Sequence, residues 1–118
     1  MPRPLCATIH LDSMQHNLAR ARACAPEARV WAVVKANAYG HGLERGVKGF
    51  MGADGLALIE TENALRLREL GWMKPILLLE GIFDASDVSL LAEHNINSTV
   101  HSIEQIKMLE YTQLYRPI

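Results

Sequence analysis

Short apolar runs alternate with amphipathic stretches along this chain. Four such runs end near Val34, Ile59, Leu79 and Val100, at intervals of 25, 20 and 21 residues. A continuous apolar run of this kind is typical of a parallel strand that is buried on both faces, and the intervals leave room for one helix between successive strands. The pattern predicts four βα units. They could form half of an eight-stranded barrel or a small doubly wound sheet.

Helix-start signals lie between the apolar runs, where a Ser, Thr or Asp side chain can accept a hydrogen bond from the first helical turn. They are Asp12 (with Gln15), Thr61 (with Glu62), Asp84 and Ser102 (with Gln105). Gly71 predicts the end of the helix that follows the second run, and Asn95 can adopt a left-handed backbone after the next helix. These signals place one helix after each predicted strand and another before the first.

Composition and charge exclude several classes of protein. The chain has 118 residues, of which 49% are hydrophobic and 21% charged, as is usual for one small globular domain. The 12 basic and 13 acidic residues are interspersed and give a net charge of −1, so neither a nucleic acid nor an acidic membrane surface is expected as a partner.

Cysteine and terminal patterns add further exclusions. Cys6 and Cys24 have no C-x-x-C spacing and no paired histidines, so neither a metal site nor a disulfide framework is predicted, and Cys24 is interpreted as a semi-buried filler. Residues 1–5 do not resemble a signal peptide. Because the apolar stretch 75–79 is broken by Glu80, no membrane span is predicted, and the expected location is the cytoplasm.

Lys35 directly follows the first apolar run and opens into a loop that contains Gly40 and Gly42. Parallel α/β proteins bind ligands at the carboxyl ends of their strands, where a partly desolvated lysine can act as a nucleophilic amine. With the polar groups of Asn37 and Tyr39 close by, the position suggests a Schiff-base lysine beside a small anionic ligand. The competing interpretation is a solvated charge that ends a strand.

Other polar residues at predicted strand ends are weaker candidates. His101 beside Ser102 is typical of a hydrogen-bonded helix start rather than of a catalytic group. Glu80 lacks a second carboxylate placed by the sequence and fits a role in solvating the loop at Gly81. His41, between two glycines, is expected to orient its loop and not to bind a metal.

The segment AVVKANAYGHG, residues 32–42, resembles the pyridoxal-phosphate attachment motif of bacterial alanine racemases. The resemblance covers essentially the whole chain, because further segments resemble the family in the same order. They are RPLCATIHLDSMQHNL (3–18), GADGLALIETENALRLRELGW (52–72), PILLLEG (75–81) and VHSIEQI (100–106). His10 departs from the aspartate that is common in the opening segment.

The resemblance implies specific roles. Lys35 would bind pyridoxal 5'-phosphate covalently and act as one catalytic base, Tyr39 would bind the cofactor phosphate, and Leu79 would pack near the cofactor. The implied reaction is the interconversion of L-alanine and D-alanine, which supplies D-alanine for peptidoglycan. The full-length enzyme would act on this small amino acid as a homodimer.

The resemblance also implies the fold: the N-terminal half of a (β/α)8 barrel, about four βα units, preceded by a short strand around Ala7 to Leu11. Family members are considerably longer, so residues 1–118 are expected to be part of the N-terminal barrel domain without the C-terminal β-domain. Taken alone, they are expected to be inactive, because the second base would come from elsewhere. Related barrel-type decarboxylases, whose lysine is also followed by Ala-Asn, and a non-catalytic pyridoxal-phosphate-binding protein of the same barrel type remain as alternatives.

Overall fold

The computed structural model describes residues 3–113 and 116–118. In this part of the chain, helices and strands alternate as the hydrophobic pattern predicts. In chain order they are α1 (Leu11–Cys24), β1 (Trp31–Val33), α2 (Lys35–Tyr39), α3 (Leu43–Gly49), β2 (Gly55–Leu58), α4 (Thr61–Glu69), β3 (Ile76–Leu78), α5 (Ala85–Glu93), β4 (Asn97–Ser98) and α6 (Ile103–Glu110).

The four strands form one parallel sheet in the order β1-β2-β3-β4. A single row of paired residues crosses the whole sheet, through Val33, Ala57, Leu77 and Asn97. Doubly wound sheets reverse their strand order at a switch point, whereas barrel strands follow one another in sequence. The order therefore favours the half-barrel over the doubly wound sheet, and four βα units are confirmed.

One face of the sheet is sealed by helices. Val34, Leu58 and Leu78 are almost completely buried on that face, in one core with apolar residues of α3, α4 and α5. On the other face Ala57 is buried, but Val33 and Leu77 on either side of it are only half-buried. The radius of gyration is 16.4 Å, above the roughly 13–14 Å expected of a compact domain of this length. The sheet is thus an open shell, covered on its helical side.

Two of the predicted helix starts are confirmed. The Asp84 carboxylate accepts a hydrogen bond from the Ser86 N–H at 2.8 Å, and the Ser102 hydroxyl accepts one from the Gln105 N–H at 3.2 Å. The predicted helix ends are also confirmed, because Gly71 and Asn95 have φ angles of +90° and +52°.

The other two predicted caps are wrong. His10 is the residue that precedes α1, so Asp12 lies inside the first turn of the helix. Among the described residues, the Asp12 carboxylate accepts a hydrogen bond only from the Ser13 N–H. Glu60 takes the corresponding place before α4, so Thr61 is already helical, and its buried hydroxyl has no hydrogen-bond partner among the described residues. The helix α4 therefore begins at its expected cap, and α1 begins one residue before its expected cap.

Two expectations about the start of the chain also need correction. No strand is formed around Ala7 to Leu11, and Leu11 is the first residue of α1. A strand needs a neighbouring strand for its hydrogen bonds, and the described residues provide none there. Cys24 is exposed and not semi-buried, because Leu18 is the fully buried residue of α1.

Replacing the confirmed cap should destabilise the chain. Asp84→Ala removes the acceptor of the Ser86 N–H, and caps of this kind contribute about 1 kcal/mol to the free energy of unfolding. Urea unfolding followed by circular dichroism at 222 nm measures the loss. Asp12→Ala is the matched control, with an expected loss of a few tenths of a kcal/mol, because Asp12 only complements the helix dipole. Equal losses in the two variants would contradict this interpretation.

Candidate functional site

The carboxyl edge of the sheet brings together residues that are far apart in sequence. The strand register places Val33, Ala57 and Leu77 in one row across three strands, and Lys35 and Leu79 each lie two positions beyond an end of that row. Leu79 continues the ladder, because its N–H donates to the Leu58 carbonyl at 2.8 Å. Both side chains are half-buried. Within residues 3–113 and 116–118, the Lys35 ammonium has no ion-pair partner.

A left-handed helical turn follows Lys35. Ala36, Asn37, Ala38 and Tyr39 have φ angles of 51°, 56°, 54° and 53°. For residues other than glycine this conformation costs roughly 1–2 kcal/mol each relative to the right-handed helix, so surrounding contacts must hold the turn. In this segment the sequence predicts unusual backbone only at the glycines. That part is confirmed, because Gly40 and Gly42 have φ angles of +85° and +97°.

Two side chains fasten the turn to the start of α3. The Asn37 amide oxygen accepts from the Leu43 N–H at 2.9 Å, while the Asn37 carbonyl accepts from the Gly42 N–H, also at 2.9 Å. The Ala38 carbonyl accepts from the His41 N–H at 3.0 Å and from His41 Nδ1 at 2.7 Å. His41 therefore orients its loop, as predicted. The Asn37 amide oxygen is used within the protein, so of its side-chain polar atoms only the amide nitrogen remains for the expected role beside a ligand.

Close packing against α3 supports the same turn. Ala38 is 3% exposed and lies against Gly46 of α3. A Cβ atom at position 46 would lie 2.9 Å from the Ala38 Cβ and 3.4 Å from Val34 Cγ1. A glycine at position 46 is therefore what lets α3 approach the turn so closely.

Tyr39 ends the turn with its side chain 59% exposed. At Gly40, the next residue, a Cβ atom would meet no heavy atom within 4 Å, so open space adjoins the tyrosine. The tyrosine is therefore accessible from solvent next to the turn.

A buried glutamine secures the neighbouring loops. Gln105 is 5% exposed, and its Nε2 donates to the carbonyls of Glu80 at 2.8 Å and Ile82 at 3.2 Å. Its Oε1 accepts from the His101 N–H at 2.8 Å, while His101 Nε2 donates to the Glu80 carbonyl at 2.9 Å. His101 belongs to a helix-start arrangement, as predicted. A capping box would require the Gln105 side chain to bond the Ser102 N–H. Here it bonds the His101 N–H instead.

The amino end of the sheet is held by charged groups. Arg68 donates to four backbone carbonyls, and the burial of its guanidinium lowers its pKa. The Val30 N–H and the Arg22 guanidinium both hydrogen-bond the Asp54 carboxylate and lower its pKa. These contacts tie loops to one another at the end of the sheet away from Lys35. Barrels separate stability and chemistry between their two ends in this way.

Residues 3–113 and 116–118 contain no cluster of three or more His, Cys, Asp or Glu side chains that could hold a metal ion. None of their helices has the length and hydropathy needed to cross a membrane.

Comparison with known proteins agrees with this geometry. Residues 9–118 match the family described as alanine racemase, N-terminal domain. The alanine racemase of Janthinobacterium sp. (strain Marseille) is 63% identical over 97% of this chain, and that of Paraburkholderia phytofirmans is 51% identical over the whole chain. The chain spans about a third of the length of these relatives, 32% and 33% respectively.

Solved structures give the same result. The biosynthetic alanine racemase of Pseudomonas aeruginosa superposes with a TM-score of 0.87 and 38% identity, over 92% of this chain and 30% of that protein. A histidine racemase from Leuconostoc mesenteroides superposes with a TM-score of 0.73 and 33% identity, over 83% of this chain and 27% of that protein. The family match covers nearly all of the sequence, and the half-barrel is the corresponding fold. The chain therefore belongs to the alanine racemase N-terminal domain family.

Proposed function

We propose that this chain provides the cofactor-binding lysine of a pyridoxal-phosphate-dependent amino-acid racemase that interconverts L-alanine and D-alanine. The observation that carries the proposal is the position of Lys35, half-buried at the carboxyl edge of a parallel sheet and followed by a turn held in an unfavourable conformation. Relatives that share 51–63% of its residues are named alanine racemases.

The residues at this edge suit pyridoxal phosphate chemically. An aldehyde needs a primary amine, and the Lys35 ammonium has no carboxylate partner among the described residues that would compete for it. A phosphate needs hydrogen-bond donors, and the exposed Tyr39 phenol beside the open space at Gly40 can supply one. Bound pyridoxal phosphate would supply an electron-withdrawing ring that acidifies the α-proton of an attached amino acid.

The chain's own residues would divide the work. Lys35 would anchor the cofactor covalently, and its Nζ atom, when free, would take the α-proton from one face of the substrate or return it to that face. Tyr39 would fix the phosphate. Leu79 would offer an apolar surface next to the cofactor and keep water from that side.

Inversion also requires a proton-transferring group on the opposite face. No described tyrosine suits that role, because Tyr39 is assigned to the phosphate and Tyr111 lies 88% exposed at the end of α6. Tyr115 lies outside the described residues. We infer that residues 1–118 act as part of a larger barrel domain, and that the second base and the remaining phosphate ligands come from outside this chain, in a homodimeric enzyme.

A location in the cytoplasm and a supply of D-alanine for peptidoglycan complete the proposal, as the family suggests. The histidine racemase among the structural neighbours is the reason to test more than one amino acid.

A pyridoxal-phosphate-binding protein without catalytic activity is the second candidate. It would hold the cofactor through Lys35 in the same way but would not exchange the α-proton of an amino acid.

Borohydride reduction should attach the cofactor to Lys35. We expect residues 1–118, incubated with pyridoxal phosphate and then reduced, to carry the added mass on the peptide that contains Lys35, because that lysine joins the edge of the sheet to the proposed phosphate site. Lys107, exposed on α6, serves as the internal control for random labelling. Peptide mapping by mass spectrometry measures both. Preferential labelling of Lys107 would refute the assignment.

The same assay tests Tyr39. In Tyr39→Phe, the cofactor concentration needed for half-maximal labelling of Lys35 should rise by roughly tenfold or more. The reason is that a hydrogen bond to a charged group contributes about 1.5–3 kcal/mol. With saturating cofactor, the extent of labelling should be unchanged. An unchanged cofactor requirement would remove Tyr39 from the phosphate site.

Residues 1–118 alone should not racemise alanine. Incubation with L-alanine and pyridoxal phosphate in deuterated water, followed by chiral analysis, should yield no D-alanine above the level produced by free cofactor. The reason is geometric, because only one face of the substrate would have a proton-transferring group. If D-alanine accumulated above that level and this activity disappeared in Lys35→Ala, the chain would contain a complete site.

A further inference from the structure

Lys35 and Tyr39 stand at the two ends of the left-handed turn, four residues apart. Side chains four positions apart on one helical turn lie on the same side of it, so the shape of the turn determines whether the amine and the phenol serve one ligand. The right-handed helix is favoured over this conformation at every one of the four positions. Any contact that holds the turn therefore controls the relation between the two functional groups.

Asn37 supplies the side chain that ties this turn to α3. Its amide oxygen lies 2.9 Å from the Leu43 nitrogen, and its own carbonyl oxygen lies 2.9 Å from the Gly42 nitrogen. These two bonds span the glycine loop and satisfy N–H groups at the start of α3. Neither Ala36 nor Ala38 has a polar side-chain atom that could do the same.

We propose that Asn37 is a positioning residue that keeps Lys35 and Tyr39 directed at one cofactor site. The proposal rests on the proposed function of Lys35 and deepens it. This role needs no contact between Asn37 and the reacting groups. Asn37 acts through the backbone, because loss of its bond to Leu43 would allow the turn to relax and would separate the amine from the phenol.

Asparagine combines the two properties that this position needs. It tolerates left-handed backbone better than most residues, and it carries a neutral acceptor short enough to reach a nearby N–H group. Glycine has the first property and lacks the second. Asn37→Gly therefore removes the acceptor while the backbone conformation stays accessible, so its effect is not one of added strain.

The chain contains a matched control for this substitution. Asn95 has nearly the same conformation, with φ of +52° compared with +56° at Asn37, and it lies at the amino end of β4. Asn95→Gly makes the same chemical change at the opposite end of the sheet. Asn37→Asp is a third variant, because it keeps an acceptor oxygen in place.

Two measurements test the proposal on residues 1–118. Amide hydrogen exchange at Leu43 reports the turn itself. We expect exchange in Asn37→Gly to be roughly two- to tenfold faster than in the original chain, the range expected for loss of one neutral hydrogen bond. Exchange at Leu43 should stay near its original rate in Asn37→Asp and Asn95→Gly. Equally fast exchange in Asn37→Asp and Asn37→Gly would show that the acceptor does not hold the turn.

Borohydride labelling with pyridoxal phosphate reports the site. In Asn37→Gly, half-maximal labelling of Lys35 should need roughly two- to tenfold more cofactor, with Lys107 labelling unchanged, whereas Asn95→Gly should match the original chain. A merely structural role would alter the melting temperature without changing the ratio of Lys35 to Lys107 labelling. If Lys35 is labelled in the original chain and Asn37→Gly behaves identically, the positioning role alone fails. If Lys35 is not labelled in the original chain, the proposed function fails and the positioning role with it.

Discussion

The parallel pairing of four consecutive strands is the constraint on which the rest of this structure depends. Because each strand is hydrogen-bonded to the next in the same direction, residues that follow the strands meet at one edge although they are separated by many positions in sequence. For this reason alone, Lys35 and Leu79 lie at the same level of that edge. The ladder is itself held by the buried row Val34, Leu58 and Leu78, which binds the sheet to its helices.

The unequal covering of the two faces gives the lysine its environment. The helical face is sealed, whereas the face that carries Val33 and Leu77 is half open. A side chain at the rim of that face is partly withdrawn from water without being enclosed, as the half-buried state of Lys35 illustrates. The same openness leaves β1 and β4 as edge strands, whose backbone groups on the outer side have no strand partner within the described sheet.

Features with a local cause could be predicted from the sequence, and features that depend on distant contacts could not. The strands, the Asp84 and Ser102 caps and the left-handed Asn95 follow from residues close in sequence. The Asp12 and Thr61 caps failed because both residues already belong to the helix, and the residues that precede the helices are His10 and Glu60. The strand expected near Ala7 failed for lack of a neighbouring strand. The place of Lys35 after a strand could be predicted from the apolar run before it, but the left-handed turn that follows it could not.

That turn illustrates why the site was only half predictable. Alanine and tyrosine favour right-handed backbone, so the sequence KANAY by itself predicts the wrong hand. The left-handed form exists because Gly46, several residues later and on another helix, leaves room for Ala38, and because Asn37 and His41 bond across the glycine loop. Local preference and tertiary packing thus disagree at the residues that flank the proposed chemistry. Backbone strain that persists against local preference must be held by its surroundings, and here the surroundings act on the segment that joins the amine to the phenol.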